Sequence, residues 1–116
     1  MLGIAKAMAS AAVSCVLAAG LVVAAGTPAS ADRCPSSRSP KIDGAQAQWT
    51  LACDMGDVKV YGWVDDTRRD GKCAVVRIRP AAGETREFQA CGSGTRETFS
   101  VTYDDQNVAE VTLRLR

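Results

Sequence analysis

The chain has 116 residues, 47% hydrophobic, with 14 Lys and Arg against 13 Asp and Glu and no His. With charge so balanced and no polybasic run, it lacks the one-sided positive field that nucleic-acid and anionic-membrane binders need. The absence of His removes Ser-His-Asp and Cys-His nucleophile pairs and the usual His-containing catalytic zinc site.

Residues 1–31 read as a secretory signal peptide. Lys6 supplies a positive start, the run from Ala7 to Ala25 an apolar middle, and Ala29-Ser30-Ala31 a small-x-small cleavage site. An uncleaved membrane anchor is the competing reading, but no basic stop-transfer flank follows. Lipid attachment at Cys15 fits poorly, because Ala12 rather than Leu stands three places before it. Removing 31 of the 116 residues leaves 85, enough for one small domain with a marginal core that calls for a covalent staple. Cys34, Cys53, Cys73 and Cys91 remain, and four cysteines in a short exported chain read as two disulfides. With all four oxidised, no thiolate nucleophile or thiolate metal site is left. Loss of Lys6 also brings the mature chain to 13 basic and 13 acidic side chains.

Residues 32–45 hold Pro35, Pro40 and several serines and are expected to form an irregular arm. From Gln46 to Arg116 the apolar pattern alternates with period two. The alternating sets are Ala47-Trp49-Leu51-Cys53, Val58-Val60-Gly62-Val64, Ala74-Val76-Ile78, Arg86-Phe88-Ala90, Phe99-Val101-Tyr103 and Ala109-Val111-Leu113-Leu115. Between them stand the turn signals Asp54-Met55-Gly56-Asp57, Asp70-Gly71, Pro80-Ala81-Ala82-Gly83, Gly92-Ser93-Gly94 and Asp104-Asp105-Gln106-Asn107. The expectation is an all-β, mostly antiparallel sandwich or small barrel of about six strands over 46–116.

Hairpin symmetry suggests the disulfide pairing. Ala82 lies midway between Cys73 and Cys91, and a three-residue loop Ala81-Ala82-Gly83 would set Val76 against Phe88 and Arg77 against Glu87. Asp43-Gly44 lies midway between Cys34 and Cys53, although two prolines disfavour a regular ladder there. The pairing expected is therefore Cys34–Cys53 and Cys73–Cys91.

A second hairpin, centred on Arg68, would set Trp63 near Cys73 and Tyr61 near Val75. Val58, Val60 and Gly62 would face the core, leaving Tyr61 and Trp63 outside it as a platform for a sugar, peptide or protein. The alternative is that the arm or a second sheet covers them, with Trp63 packed on the disulfide. Asp65-Asp66-Thr67-Arg68-Arg69-Asp70 fails as an EF-hand, since counting from Asp66 puts Arg68 and Arg77 at ligand positions. A different cation site on Asp65, Asp66 and Asp70 is the weaker reading, and surface ion pairs are the plainer one. Gly92-Ser93-Gly94 opens a strand and lacks a P-loop Lys, so it reads as a turn. No carboxylate pair stands out for hydrolysis, and no cofactor is expected.

Gly62-Trp63-Val64-Asp65-Asp66-Thr67, Asp70-Gly71-Lys72-Cys73-Ala74 and Ala90-Cys91-Gly92-Ser93-Gly94-Thr95 together resemble small exported proteins common in actinobacteria, over roughly 46–116. The resemblance implies a two-disulfide β fold and an exported address, and it assigns no site residue. Subtilisin-inhibitor-like proteins and chromoprotein carriers share only size and disulfide number. The function expected is a secreted or envelope-associated, non-catalytic binding or structural module. Its partner would be an extracellular protein or glycan, and no membrane insertion would persist after signal cleavage. The alternative is an inhibitor of an extracellular enzyme that presents the loop Arg68-Arg69-Asp70 to a protease.

Overall fold

The computed structural model describes residues 31–116, so the signal-peptide reading lies outside the described residues except for Ala31. Nine strands are present among them: β1 (Ala31–Arg33), β2 (Ser36–Arg38), β3 (Lys41–Ile42), β4 (Ala45–Asp54), β5 (Asp57–Asp66), β6 (Cys73–Pro80), β7 (Arg86–Cys91), β8 (Arg96–Tyr103) and β9 (Val108–Leu115). All pairings are antiparallel. One sheet runs β1-β9-β6-β7; the other runs β2-β4-β5-β8, with β3 also paired to β4. The six long strands are the six that period-two patterning marks.

β4 and β5 form the longest hairpin, ten residue pairs closed by Met55-Gly56. Both loop residues have positive φ, 49° and 91°, the conformation a two-residue turn needs to match strand twist. Side chains alternate across the sheets as the pattern requires. Trp49, Leu51, Val58, Val60 and Val64 from one sheet meet Ala74, Val76, Ile78, Val111 and Leu113 from the other in a single core. Phe88 and Phe99 stack across the gap with ring centres 5.1 Å apart. Trp49 is 1% exposed. Its indole N–H has no hydrogen-bond partner, a defect costing about 1–3 kcal/mol.

The disulfides are Cys34–Cys53 and Cys73–Cys91. Cys73 sits opposite Cys91 in the β6–β7 ladder, with Val76 opposite Phe88 and Arg77 opposite Glu87. The connection is longer than the three-residue loop expected. The β7 ladder ends at Ile78–Arg86, while on the other side Arg79 and Pro80 continue the pairing with Glu110 and Ala109 of β9. Gln106 clamps the resulting loop: its Oε1 accepts the Ala81 and Ala82 amides at 2.9 and 3.1 Å. The N-terminal arm is ordered into short strands. β2 and β3 keep one common register against β4 on either side of Ser39-Pro40, as Ser36–Leu51 and Lys41–Gln46 show. The prolines interrupt that ladder without shifting it. β1 joins the opposite sheet beside β9, so the arm laces the two layers together.

One expectation is corrected. β5 and β6 do not form a hairpin about Arg68; β5 lies between β4 and β8, and β6 lies in the opposite sheet between β7 and β9. Trp63 therefore pairs with Gln48 and Thr98 rather than lying near Cys73, and Tyr61 pairs with Thr50 and Ser100 rather than Val75. The cause is local. Asp66 occupies the core-facing parity of β5 and is 1% exposed. Its carboxylate accepts the Gly92 amide at 2.8 Å and the Arg68 amide at 3.2 Å. Its backbone N–H bonds Thr95 O and its carbonyl accepts the Gly94 amide. This knot ends β5 against the 92–95 turn and sends the chain across to the other layer.

Candidate functional site

The outward face of the larger sheet carries the aromatic pair. Alternation that buries Val58, Val60 and Val64 turns Lys59, Tyr61, Trp63 and Asp65 outward. The neighbouring strands add Gln46, Gln48 and Thr50 from β4 and Arg96, Thr98 and Ser100 from β8, in register beside them. Tyr61 is 41% exposed and Trp63 is half-buried. Neither the disulfide nor the second sheet covers them. The two rings thus lie on an outward face, with different neighbours from those the sequence suggested.

Two cations flank the pair. The Arg96 guanidinium lies over the Trp63 ring, 3.8 Å from its centre. Asp65 fixes it with two bonds, 2.6 Å from Nε and 2.9 Å from one Nη, and Gln46 donates to the same carboxylate at 3.0 Å. The Arg96 bond holds the Asp65 carboxyl below its ordinary range against an opposing desolvation effect. At the other end the Lys59 ammonium stands 5.5 Å from the Tyr61 ring centre. Along β5 the order is therefore Lys59, Tyr61, Trp63, Arg96. Between them lies an open groove of about 400 Å³, lined by Gln48, Thr50, Lys59, Tyr61, Trp63 and Ser100, with Trp49, Gly62 and Phe99 beneath.

The lining holds two aromatic rings, amide and hydroxyl groups and one ammonium, but no carboxylate, thiol or imidazole. Such a surface can stack on a flat ligand and hydrogen-bond its edges.

The remaining candidates lie elsewhere. Residues 67–72 form an exposed loop between buried Asp66 and disulfide-bonded Cys73. Arg68 ion-pairs with Asp43, and Thr67 N bonds Gly44 O at 3.0 Å. The Asp70 carboxylate accepts the Lys72 amide at 2.9 Å. Arg69 is exposed between these tethered residues. Asp65, Asp66 and Asp70 do not converge: the first is held by Arg96, the second by backbone amides, the third by its own loop. No group of three metal-ligating side chains is gathered among the described residues. Gly92-Ser93-Gly94 is a turn, closed by Thr95 N to Gly92 O at 3.0 Å.

Sequence reasoning missed the acid–base cluster on the outer face of the smaller sheet. Glu87 is shared by Arg77, Arg114 and Arg116 at 3.2, 3.5 and 2.6 Å. The bond from Arg116, helped by charge from Arg77 and Arg114, holds its carboxyl below the ordinary range. Val75, on the same side, is fully buried, and strand register sets it between Gln89 and Arg114. Long Arg stems shielding an outward Val is a known use of that side chain. The expected pairing of Arg77 with Glu87 was the one visible signal of this network.

No helix among the described residues is long and apolar enough to cross a membrane. No family model matches this chain, and neither a curated protein nor a solved structure matches it.

Proposed function

We propose that this protein is a secreted or envelope-associated, non-catalytic binding module. Its binding face is the groove between Tyr61 and Trp63, and its ligand is an extracellular glycan. The observation that carries the reading is the lining: two outward aromatics set among amides and hydroxyls, with no carboxylate, thiol or imidazole among them. Pyranose rings offer a flat C–H face to aromatics and hydroxyls to Gln, Ser and Thr, so a glycan suits this surface better than an apolar peptide. The signal-like N-terminus, the two disulfides and the resemblance to exported actinobacterial proteins support an address outside the cytoplasm. Binding of the oxidised protein to isolated cell walls and soluble polysaccharides tests the reading. Trp63→Ala and Tyr61→Ala are each expected to abolish retention while leaving the melting temperature within a few degrees. Retention unaffected by both substitutions would discard the groove as the site.

One observation favours the inhibitor reading as second choice. The 67–72 loop is held at Thr67, Arg68, Asp70 and Cys73, so Arg69 is presented at low entropic cost. Trypsin-like and subtilisin-like proteases separate the two readings. Slow cleavage of the loop without loss of protease activity would remove the inhibitor.

A further inference from the structure

We infer that the protein pairs with a second copy of itself along the free edge of β8, merging the two larger sheets into one. A sheet edge exposes a row of unpaired backbone N–H and C=O groups, and proteins blunt such edges with short strands, charges, proline or bulges. The other edges here are blunted. β2 and β3 span three and two residues and are interrupted at Ser39-Pro40. β1 has three residues, two of them Asp32 and Arg33. β7 has six, including Arg86 and Glu87, and ends at the Cys91 bridge. β8 has eight residues and ends the larger sheet among the described residues. Its run Thr98-Phe99-Ser100-Val101-Thr102-Tyr103 contains no charge, Pro or Gly. It is the longest edge strand among the described residues, with its one charged pair, Arg96-Glu97, confined to its start.

The sequence of β8 complements itself when read backwards about Ser100. In an antiparallel pair centred there, Ser100 faces its own counterpart. Thr98 faces Thr102, Phe99 faces Val101, and Arg96 faces Asp104 of the second copy. Hydroxyl pairs, an aromatic against a β-branched residue and opposite charges are all favourable across strands. A shift by one residue would turn the partner's faces over. A shift by two in one direction would set Glu97 against Asp105, a like-charge clash; in the other it would leave Arg96 without an acid opposite.

The dyad is perpendicular to the sheet, so both grooves open on the same side. Tyr61 and Ser100 share one row, and Ser100 lines the groove. The two Tyr61 residues then stand three strand spacings apart, about 14 Å. A repeating polymer could engage both grooves at once with gain in avidity. The dimer itself does not depend on the nature of the ligand.

Because Ser100 alone sits on the dyad, one substitution places two like charges face to face. The test is sedimentation of the purified, oxidised protein across a concentration series. The wild type is expected to dimerise, with S100K and S100D each weakened by at least about tenfold. An equimolar mixture of S100K and S100D is expected to recover dimer, since the dyad then holds opposite charges. Unchanged circular dichroism of the variants excludes unfolding as the cause. Hydrogen exchange on the wild type gives a readout that needs no variant: amides of Glu97–Tyr103 gain protection as concentration rises. A wild type that stays monomeric, variants that dimerise as tightly as wild type, a mixture that does not recover, or edge amides indifferent to concentration would each overturn the proposal.

Discussion

Gly62→Ala tests the central hairpin most directly, because the common expectation for such a change has the opposite sign. At a permissive position Gly→Ala stabilises by about 0.4–1 kcal/mol, through reduced freedom of the unfolded chain. Gly62 lies mid-strand in β5, between Trp49 of β4 and Phe99 of β8. A Cβ built there would stand 1.9 Å from the Gln48 carbonyl oxygen, 2.8 Å from the Trp49 Cα and 2.9 Å from the Gln48 carbonyl carbon. All three are backbone atoms, and a flexible side chain cannot swing away to relieve the contact. The strands must separate locally, in the middle of a ten-pair ladder.

The magnitude follows from what that separation removes. One or two ladder hydrogen bonds are lost, each worth about 1 kcal/mol net. Overpacking beside Trp49 and Phe99 adds about 1–3 kcal/mol. The expected destabilisation is therefore about 2–5 kcal/mol, a large share of what a small domain possesses. Urea denaturation followed by tryptophan fluorescence measures it, with near-ultraviolet circular dichroism reporting the Trp49 environment. A variant as stable as wild type, with an unchanged Trp49 signal, would refute the close approach of β4 and β5.

Three further outcomes are expected. Asp66→Ala removes the acceptor of the partly buried bonds from the Gly92 and Arg68 amides, at about 1–3 kcal/mol together; chemical denaturation measures the loss, and hydrogen exchange should show the 92–95 turn opening. Cys73→Ser with Cys91→Ser opens a loop of sequence separation 18, and the melting temperature should report a cost of about 3 kcal/mol from loop-closure entropy. The carboxyls of Glu87, Asp65 and Asp32 are all held below their ordinary range, first by hydrogen bonds from Arg116, Arg96 and Arg38. Their contribution is complete above the unfolded carboxylate values near ~4 and is lost as pH falls through the lower folded values. Urea midpoints should thus be flat from about pH 7 to 5 and fall below about pH 4, with a shallower fall in high salt because these pairs are partly solvated.

What the sequence makes legible here is whatever a short-range rule determines. Period-two alternation marks the six long strands because each has one face in the core. The β6–β7 register and its bridge follow from the midpoint at Ala82, and the Cys34–Cys53 pairing from the midpoint at Asp43-Gly44. The short strands β1 to β3 escape the pattern, since two or three residues cannot show a period. The course of the chain after β5 escapes it too. Six loop residues between two strands fit a hairpin as well as a crossing between layers. The only local sign of the crossing is a charged residue, Asp66, at a position whose parity belongs to the core.

Alternation explains why the outward direction of the two aromatics could be read from a wrong pairing. The direction of Tyr61 and Trp63 depends only on alternation within β5, which holds whichever strand lies beside it. Their neighbours depend on topology, in which Asp66 at the end of β5 is bonded to the Gly92 amide, 26 residues away. The choice of layer places β8 rather than β6 beside β5. It thereby brings Arg96 over Trp63 and Ser100 beside Tyr61, in place of the disulfide. The composition of the groove thus follows from the placement of β8 beside β5. Asp66→Asn keeps the shape of that side chain but can place an amide donor against the Gly92 N–H. If the topology rests on this contact, the variant should lose stability and, where it remains folded, weaken the Arg96–Trp63 stacking seen in the fluorescence of Trp63.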